Sequence, residues 1–180
     1  MTALKTTILI AWVAFWAYWF VAAASSKQGS RTRRGRPAGL LVFILWFVLT
    51  RVFGANSLTV HSPIVRAVGV VLFVSGLSLA VWARIYLGRN WGMPMTQKDD
   101  PELVTSGPYR FVRHPIYSGI LLAVLGTALA TNLYWLIACA VMGAYFIYSA
   151  RVEEQLMSAS FPDTYASYRL KTKMLIPFVL

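Results

Sequence analysis

The sequence predicts an all-α integral membrane protein, a five-span helical bundle with a cytoplasmic C-terminal helical segment and no Rossmann domain. Hydrophobic residues make up 58% of the 180 residues, whereas soluble domains are about 45–50% apolar. Several uninterrupted apolar runs approach the ~20 residues that cross a bilayer. The basic residues fall mostly between these runs, as expected for loops that fix membrane topology.

The first three spans are apolar runs of different character. The first, about Thr6–Ala24, carries a tryptophan-rich aromatic cluster and is too long for the hydrophobic region of a signal peptide. The second, about Ala38–Phe53, follows an arginine-rich loop. The third, about Ile64–Leu87, places Gly69 and Gly76 seven residues apart, which favours close packing against another helix.

The last two spans are expected at about Pro115–Thr131 and Leu133–Ala150. The link between them is so short that they must form an antiparallel hairpin. The following segment, Arg151–Arg169, either continues the last helix or forms a separate interfacial helix, in which Pro162 suits the first turn. The apolar ending Ile176–Leu180 can fold back onto the bundle or the membrane surface.

The charge distribution predicts the orientation. The formal net charge is +11, and most basic residues lie in the first loop, the third loop and the C-terminal tail. Five spans place these three segments on one side, which the positive-inside rule identifies as cytoplasmic. The N-terminus is therefore expected outside, and the C-terminus and active site in the cytoplasm. This explains the charge better than nucleic-acid binding. We expect a single membrane domain over residues 1–180, with N-terminal spans in 1–87 and a cofactor-binding half in 88–180.

Several chemistries lose support because their motifs are absent from the sequence. It contains no GxGxxG, P-loop, HExxH or GxSxG pattern. The single cysteine, Cys139, has no CxxC partner and lies within an apolar run. No metal site is expected.

The richest polar stretch runs from Gly107 to Gly119, GPYRFVRHPIYSG. Pro115 suits the first position of a helix, so His114 is expected near its N-cap. The first amides of that helix are free donors at its positive end and can bind a carboxylate. The alternative is that Arg113 and its neighbours are only topology charges and His114 a surface cap.

A second polar group, Glu153 and Glu154, lies near the C-terminal end of the fifth span. Adjacent carboxylates near a helix C-terminus oppose the helix dipole and need compensation. The hairpin places them at the depth of Arg113, so they form either an inter-helix ion pair or part of a ligand site.

These residues, with the later Phe161, Tyr165, Tyr168 and Ile176-Pro177, resemble isoprenylcysteine carboxyl methyltransferases and the related phospholipid methyltransferases. The resemblance runs from about Leu87 to the C-terminus. It implies an integral-membrane methyltransferase that uses S-adenosylmethionine in a cytoplasm-facing pocket capped by the C-terminal segment. The family often has a histidine at the position of Pro101. The implied cofactor-binding residues are Glu102, Leu103, Val104, Tyr109, His114, Pro115, Ile116, Tyr117 and Glu154.

The expected reaction is direct in-line methyl transfer to a lipophilic acceptor that enters from the membrane. The resemblance favours a carboxylate of isoprenylcysteine type, which Arg151 or Arg113 would hold as the catalytic arginine. A phospholipid with an ethanolamine headgroup, or another small lipophile, is the alternative. An amine or thiol would need a base, for which His114 and Glu153 are candidates.

Two other classes of protein stay open. Some membrane sterol reductases are similar in this half and bind NADPH. A non-enzymatic transporter or scaffold is the remaining alternative. It is less favoured, because the polar mid-span residues are mostly Ser and Thr and no repeat is visible.

Overall fold

The computed structural model describes residues 3–24, 29–31, 58–92, 94–98 and 101–177. Short 3-10 turns occupy Gly88–Asn90 and Gly107–Arg110. Two short strands, β1 Gly29–Arg31 and β2 Thr96–Lys98, pair antiparallel with Gly29 opposite Lys98. The helices of the described residues are α1 Ala3–Ala23, α2 Pro63–Leu87, α3 Pro115–Ala130, α4 Trp135–Ser160 and α5 Pro162–Lys171.

The predicted class, an all-helical membrane protein without a Rossmann domain, is confirmed. In the described part of the chain, α1, α2 and α4 are long and apolar enough to cross a membrane, while α3 is a shorter apolar helix. The predicted second span, Ala38–Phe53, lies outside the described residues. Good helix formers carry α4 past Ala150 to Ser160, so the helix continues beyond the predicted fifth span, as one of the two expectations for Arg151–Arg169 allowed. Pro162 then opens the separate helix α5.

The backbones of helices α2 and α3 are in direct contact along a seam formed by Gly69, Gly76, Gly119 and Gly126. A Cβ atom at Gly76 would lie 2.4 Å from the amide nitrogen of Ala123, and one at Gly126 would lie 2.3 Å from that of Phe73. Neither distance is compatible with a side chain. The close packing predicted from the glycine spacing is therefore confirmed, and α2 and α3 form a rigid pair.

The α3–α4 hairpin is also confirmed, and a short extended segment closes that end of the bundle. Val60 donates its amide to the carbonyl of Thr131 at 3.2 Å, and Leu133 donates to the carbonyl of Leu58 at 2.9 Å. These bonds tie the segment before α2 to the α3–α4 turn. This end of the bundle is called the far end below.

Helix α1 contacts the α2–α3 pair at two levels. Near the far end, Trp12 Nε1 donates to Thr127 Oγ1 at 3.1 Å. At the other end, Arg84 Nη2 donates to the carbonyl of Ala22 at 2.6 Å. A cavity remains among α1, α3 and α4.

The chain after α5 pairs with the residues that lead into α3, whereas Ile176 is 52% exposed and residues 178–180 of the apolar ending lie outside the described part of the chain. Arg113 donates its amide to the carbonyl of Lys173 at 2.8 Å, and His114 donates to that of Met174 at 3.0 Å. This parallel pairing sets the segment after α5 beside the residues that lead into α3. It thereby covers the end of the bundle opposite the far end.

Candidate active site

A cavity of about 1570 Å³ extends from Thr131 and Asn132 at the far end to Glu153 and Tyr168 at the other. Helix α1 supplies one wall, with Trp12, Trp16 and Trp19. The cavity volume exceeds the roughly 300–1,000 Å³ typical of small-molecule sites. The cavity therefore has room for a cofactor and a long apolar molecule together.

His114 stands at the N-cap of α3, where Pro115 begins the helix. Its Nδ1 lies 3.4 Å from Glu153 Oε2, and its Nε2 lies 3.5 Å from Glu154 Oε1. Nε2 is buried and makes no hydrogen bond. The imidazole thus stands between two carboxylates, with its buried Nε2 facing Glu154, beside the first amides of α3.

The two adjacent glutamates have different surroundings. Glu154 is 5% exposed, and its Oε1 lies 2.6 Å from Arg113 Nε. Glu153 lines the cavity, and its Oε1 accepts hydrogen bonds from the Tyr117 hydroxyl at 2.5 Å and the Met95 amide at 2.9 Å. Successive helix positions point about 100° apart, so Glu154 reaches Arg113 while Glu153 faces the cavity.

Arg113 joins α4 to the C-terminal segment. Besides the bond to Glu154, its Nη1 donates to the carbonyls of Thr172 and Arg169. Arg169 Nε lies 3.7 Å from Glu154 Oε2 but is 61% exposed at its side chain. The buried carboxylate is thus compensated by one buried and one exposed arginine.

Aromatic rings continue from the polar cluster along the cavity. The His114 and Tyr117 rings stack at 5.5 Å between centroids, and Tyr117 stacks on Phe146 at 4.4 Å. Trp91 meets Trp19 edge to face at 5.8 Å. Such faces suit a flat heterocycle or a sulfonium cation.

Protonation of the cluster is biased by its neighbours. Burial lowers the pKa of His114, but the hydrogen-bonding and charge of Glu153 and Glu154 outweigh burial and raise it above its ordinary value. Burial also raises the pKa of Tyr109, and that of Tyr168 to about 12. The imidazole therefore favours the cationic form, and the tyrosines stay neutral.

Most residues expected at the site line the cavity: Glu102, Leu103, Val104, Tyr109, Arg113, His114, Ile116 and Tyr117. Three others are placed differently. Pro115 is fully buried at the start of α3, and Glu154 lies behind His114 in the polar cluster. Arg151 is exposed on α4 and is absent from the cavity lining.

Sequence reasoning did not assign two parts of the site. One is the α1 wall, although Trp12, Trp16 and Trp19 recur at spacings of four and three and therefore share a helix face. The other is Met95, which is fully buried with φ of 60° and directs its amide to Glu153. No local sequence pattern predicts the hydrogen bond between Met95 and Glu153. Among the described residues, no group of three or more His, Cys, Asp or Glu is arranged to hold a metal ion.

Comparison with known proteins bears on this site. The model of the phospholipid methyltransferase family matches residues 64–164. The cobalt-zinc-cadmium resistance protein CzcN of Cupriavidus metallidurans is 30% identical over 77% of this chain and 62% of its own length. The methanethiol S-methyltransferase of a Pseudomonas species is 27% identical over 76% of this chain and 56% of its own. The protein-S-isoprenylcysteine O-methyltransferase of Schizosaccharomyces pombe is 30% identical over 54% of this chain and 43% of its own.

The fold is similar to a solved structure. The eukaryotic intramembrane Ras methyltransferase ICMT (isoprenylcysteine carboxyl methyltransferase) superposes with a TM-score of 0.57 at 22% identity, over 83% of this chain and 54% of that one. At this identity the likeness concerns the fold. The chain thus covers between two fifths and two thirds of the length of these proteins.

Proposed function

This chain belongs to the phospholipid methyltransferase family, and on that premise we propose that it transfers a methyl group from S-adenosylmethionine to a lipophilic acceptor. The observation that carries the proposal is the polar cluster of Arg113, His114, Glu153 and Glu154 at one end of a long cavity. When bound, S-adenosylmethionine supplies an electrophilic methyl group on a sulfonium sulfur.

The residues present fit this cofactor, whose methionine part carries one carboxylate and one ammonium group. The first amides of α3 suit the carboxylate, and the His114 ring lines the cavity beside them. The glutamates suit the ammonium or the ribose hydroxyls. Tyr109, Tyr117 and Trp91 offer aromatic faces, and Glu102, Leu103 and Val104 form part of the same wall.

The chain's contribution to the reaction is positioning and exclusion of water. The stacked rings of His114, Tyr117 and Phe146 hold one side of the cavity rigid. The paired C-terminal segment covers the polar cluster. Orientation of two reactants in a dry site can supply a large share of the rate.

The acceptor is proposed to be a lipophile that reaches the cluster through the membrane. The cavity length along α1, from Lys5 to Ala23, supports a long apolar chain. The isoprenylcysteine carboxylate is the acceptor favoured by the motifs, and the Schizosaccharomyces pombe relative supports it. A phospholipid amine is the alternative, and the Pseudomonas relative adds a thiol. The cluster is proposed to face the cytoplasm, because the basic segments lie at that end.

Binding of S-adenosylmethionine to the purified protein tests this function. Calorimetry on wild type should detect binding, and both His114→Ala and Glu154→Ala should abolish it while the variants still insert and purify. NADPH, offered under the same conditions, should produce no thermal stabilisation. Unchanged cofactor affinity in both variants would show that the site is assigned wrongly, and stabilisation by NADPH alone would favour a reductase.

A further inference from the structure

Arg84 lies in the last turn of α2 and is absent from the cavity lining. Only 3% of the residue is exposed. Its Nη1 donates to the carbonyl of Gly88 and its Nη2 to the carbonyl of Ala22, both at 2.6 Å. The guanidinium therefore joins the C-terminal ends of α1 and α2, where the negative ends of the two helix dipoles favour a cation.

Arg84 also holds Trp91, both by its backbone and by its ring. The Gly88 carbonyl that accepts from Arg84 also accepts from the Trp91 amide at 3.3 Å. Gly88 has φ of 53°, a conformation that suits glycine and lets the chain turn after α2. The Arg84 Cζ lies 4.8 Å from the centroid of the Trp91 ring, within the range of cation–π contacts. One side chain thus fixes both the turn and the indole that follows it.

Trp91 connects this arginine to the cavity. It lines the cavity, and its ring meets that of Trp19 on α1 edge to face at 5.8 Å. Trp19 and Ala22 are three residues apart on α1 and are therefore neighbours on the helix surface. Arg84 holds α1 directly through the Ala22 carbonyl and indirectly through the two tryptophans. These contacts form a closed network around the guanidinium.

The turn that Arg84 holds carries a second group of the cavity wall. Asn90 is the last residue of the 3-10 turn, and its Nδ2 donates to Glu102 Oε2 at 2.9 Å. Both Asn90 and Glu102 line the cavity. A shift of this turn would therefore move Trp91 and the partner of Glu102 together, and both belong to the wall that the proposed function assigns to the cofactor.

From these contacts, and resting on the proposed function, we infer that Arg84 is a positioning residue for S-adenosylmethionine. It does not touch the cofactor. It holds Trp91 and the C-terminal end of α1 in the places where they form the aromatic wall of the cofactor pocket. A wall that is ordered before binding lowers the entropic cost of binding, so the arginine contributes to cofactor affinity through the tryptophan.

The variant Arg84→Lys tests this inference on the full chain in detergent. Lysine keeps the charge but lacks the planar face and the paired nitrogens of the guanidinium, so its affinity for S-adenosylmethionine by calorimetry should fall about tenfold or more. Arg89→Lys is the matched control, because Arg89 is exposed and absent from the cavity lining. This control should change the affinity less than about threefold.

A double-mutant cycle separates positioning from a general effect on stability. Trp91→Leu removes the aromatic ring and should lower cofactor affinity about tenfold in the wild-type background. In the Arg84→Lys background the same change should cost less than about threefold, because the ring has already lost its support. Affinities are measured at a temperature at which unfolding scans show that each variant is folded. Independent, additive losses would mean that Arg84 does not act through Trp91, and they overturn the inference.

Two further outcomes overturn this inference alone. One is Arg84→Lys that binds S-adenosylmethionine as tightly as wild type. The other is Trp91→Leu with unchanged affinity, and this single variant decides the matter if Arg84→Lys does not fold, since it leaves the arginine in place. Absence of S-adenosylmethionine binding to the wild-type protein overturns the proposed function and this inference with it, so the two failures are distinguishable.

Discussion

The two faces of α3 differ in how closely their neighbours approach. On one face, Gly119 and Gly126 meet α2 with no room for a Cβ atom. On the other, Ile116, Ile120 and Val124 line a cavity of about 1570 Å³. One helix therefore serves as part of a rigid pair and as one wall of a binding space. The close contact with α2 holds α3 in place. Because α3 is held by that contact, its other face can border a large cavity.

The largest effect is expected at the buried ion pair between Arg113, which lines the cavity, and Glu154 on α4. Arg113→Gln removes the partner of Glu154, which is 5% exposed, and should cost about 3–5 kcal/mol. The matched variant Arg169→Gln touches the same carboxylate from an exposed position and should cost less than about 1 kcal/mol. Unfolding titrations in detergent measure both. Equal losses would mean that burial does not distinguish the two arginines.

The seam is tested by adding one methyl group at two glycines. Gly126→Ala forces a Cβ into the α2 backbone and should destabilise by about 1–3 kcal/mol. Gly143→Ala on α4 meets only a Leu121 methyl at 3.9 Å and should change stability by less than about 1 kcal/mol. Thermal unfolding of the two variants gives the difference. Tolerance of Gly126→Ala would contradict the seam geometry.

The smallest effect is expected from the protonation of His114. Its pKa is raised in the folded protein, so the imidazolium contributes stability below its ordinary pKa of about 6.5. That contribution is lost as pH rises through the raised value. Glu153, Glu154, Arg113 and Tyr117 face or adjoin the ring and are charged or titratable themselves.

The measurement is the thermal midpoint as a function of pH for wild type and His114→Gln. Wild type should lose stability with rising pH, and the variant should lack that step. A step of equal size in the variant would assign it to another group.

The sequence predicted most of the site through helix boundaries. Pro115 placed His114 at the N-cap, and the short link after Thr131 made α3 and α4 a hairpin. Those two facts bring His114 beside the glutamate pair on α4. The family resemblance drawn from these motifs is confirmed by the match over residues 64–164.

The remaining features depend on tertiary contacts. Which of Glu153 and Glu154 faces the cavity depends on the rotation of α4, which the pattern of adjacent acids does not specify. The choice between Arg113 and Arg151 has the same origin, because both lie near the glutamates in depth. The pairing of residues 112–114 with 173–174 joins segments about 60 residues apart and has no local signal.

The cavity wall also has an optical consequence. Of seven tryptophans in the chain, Trp12, Trp16, Trp19, Trp91 and Trp135 line the cavity. Indole emission depends on the polarity around the ring, so a molecule that displaces water from this space would alter the protein's intrinsic fluorescence. Intrinsic tryptophan fluorescence can therefore report whether the cavity is occupied, without any added dye.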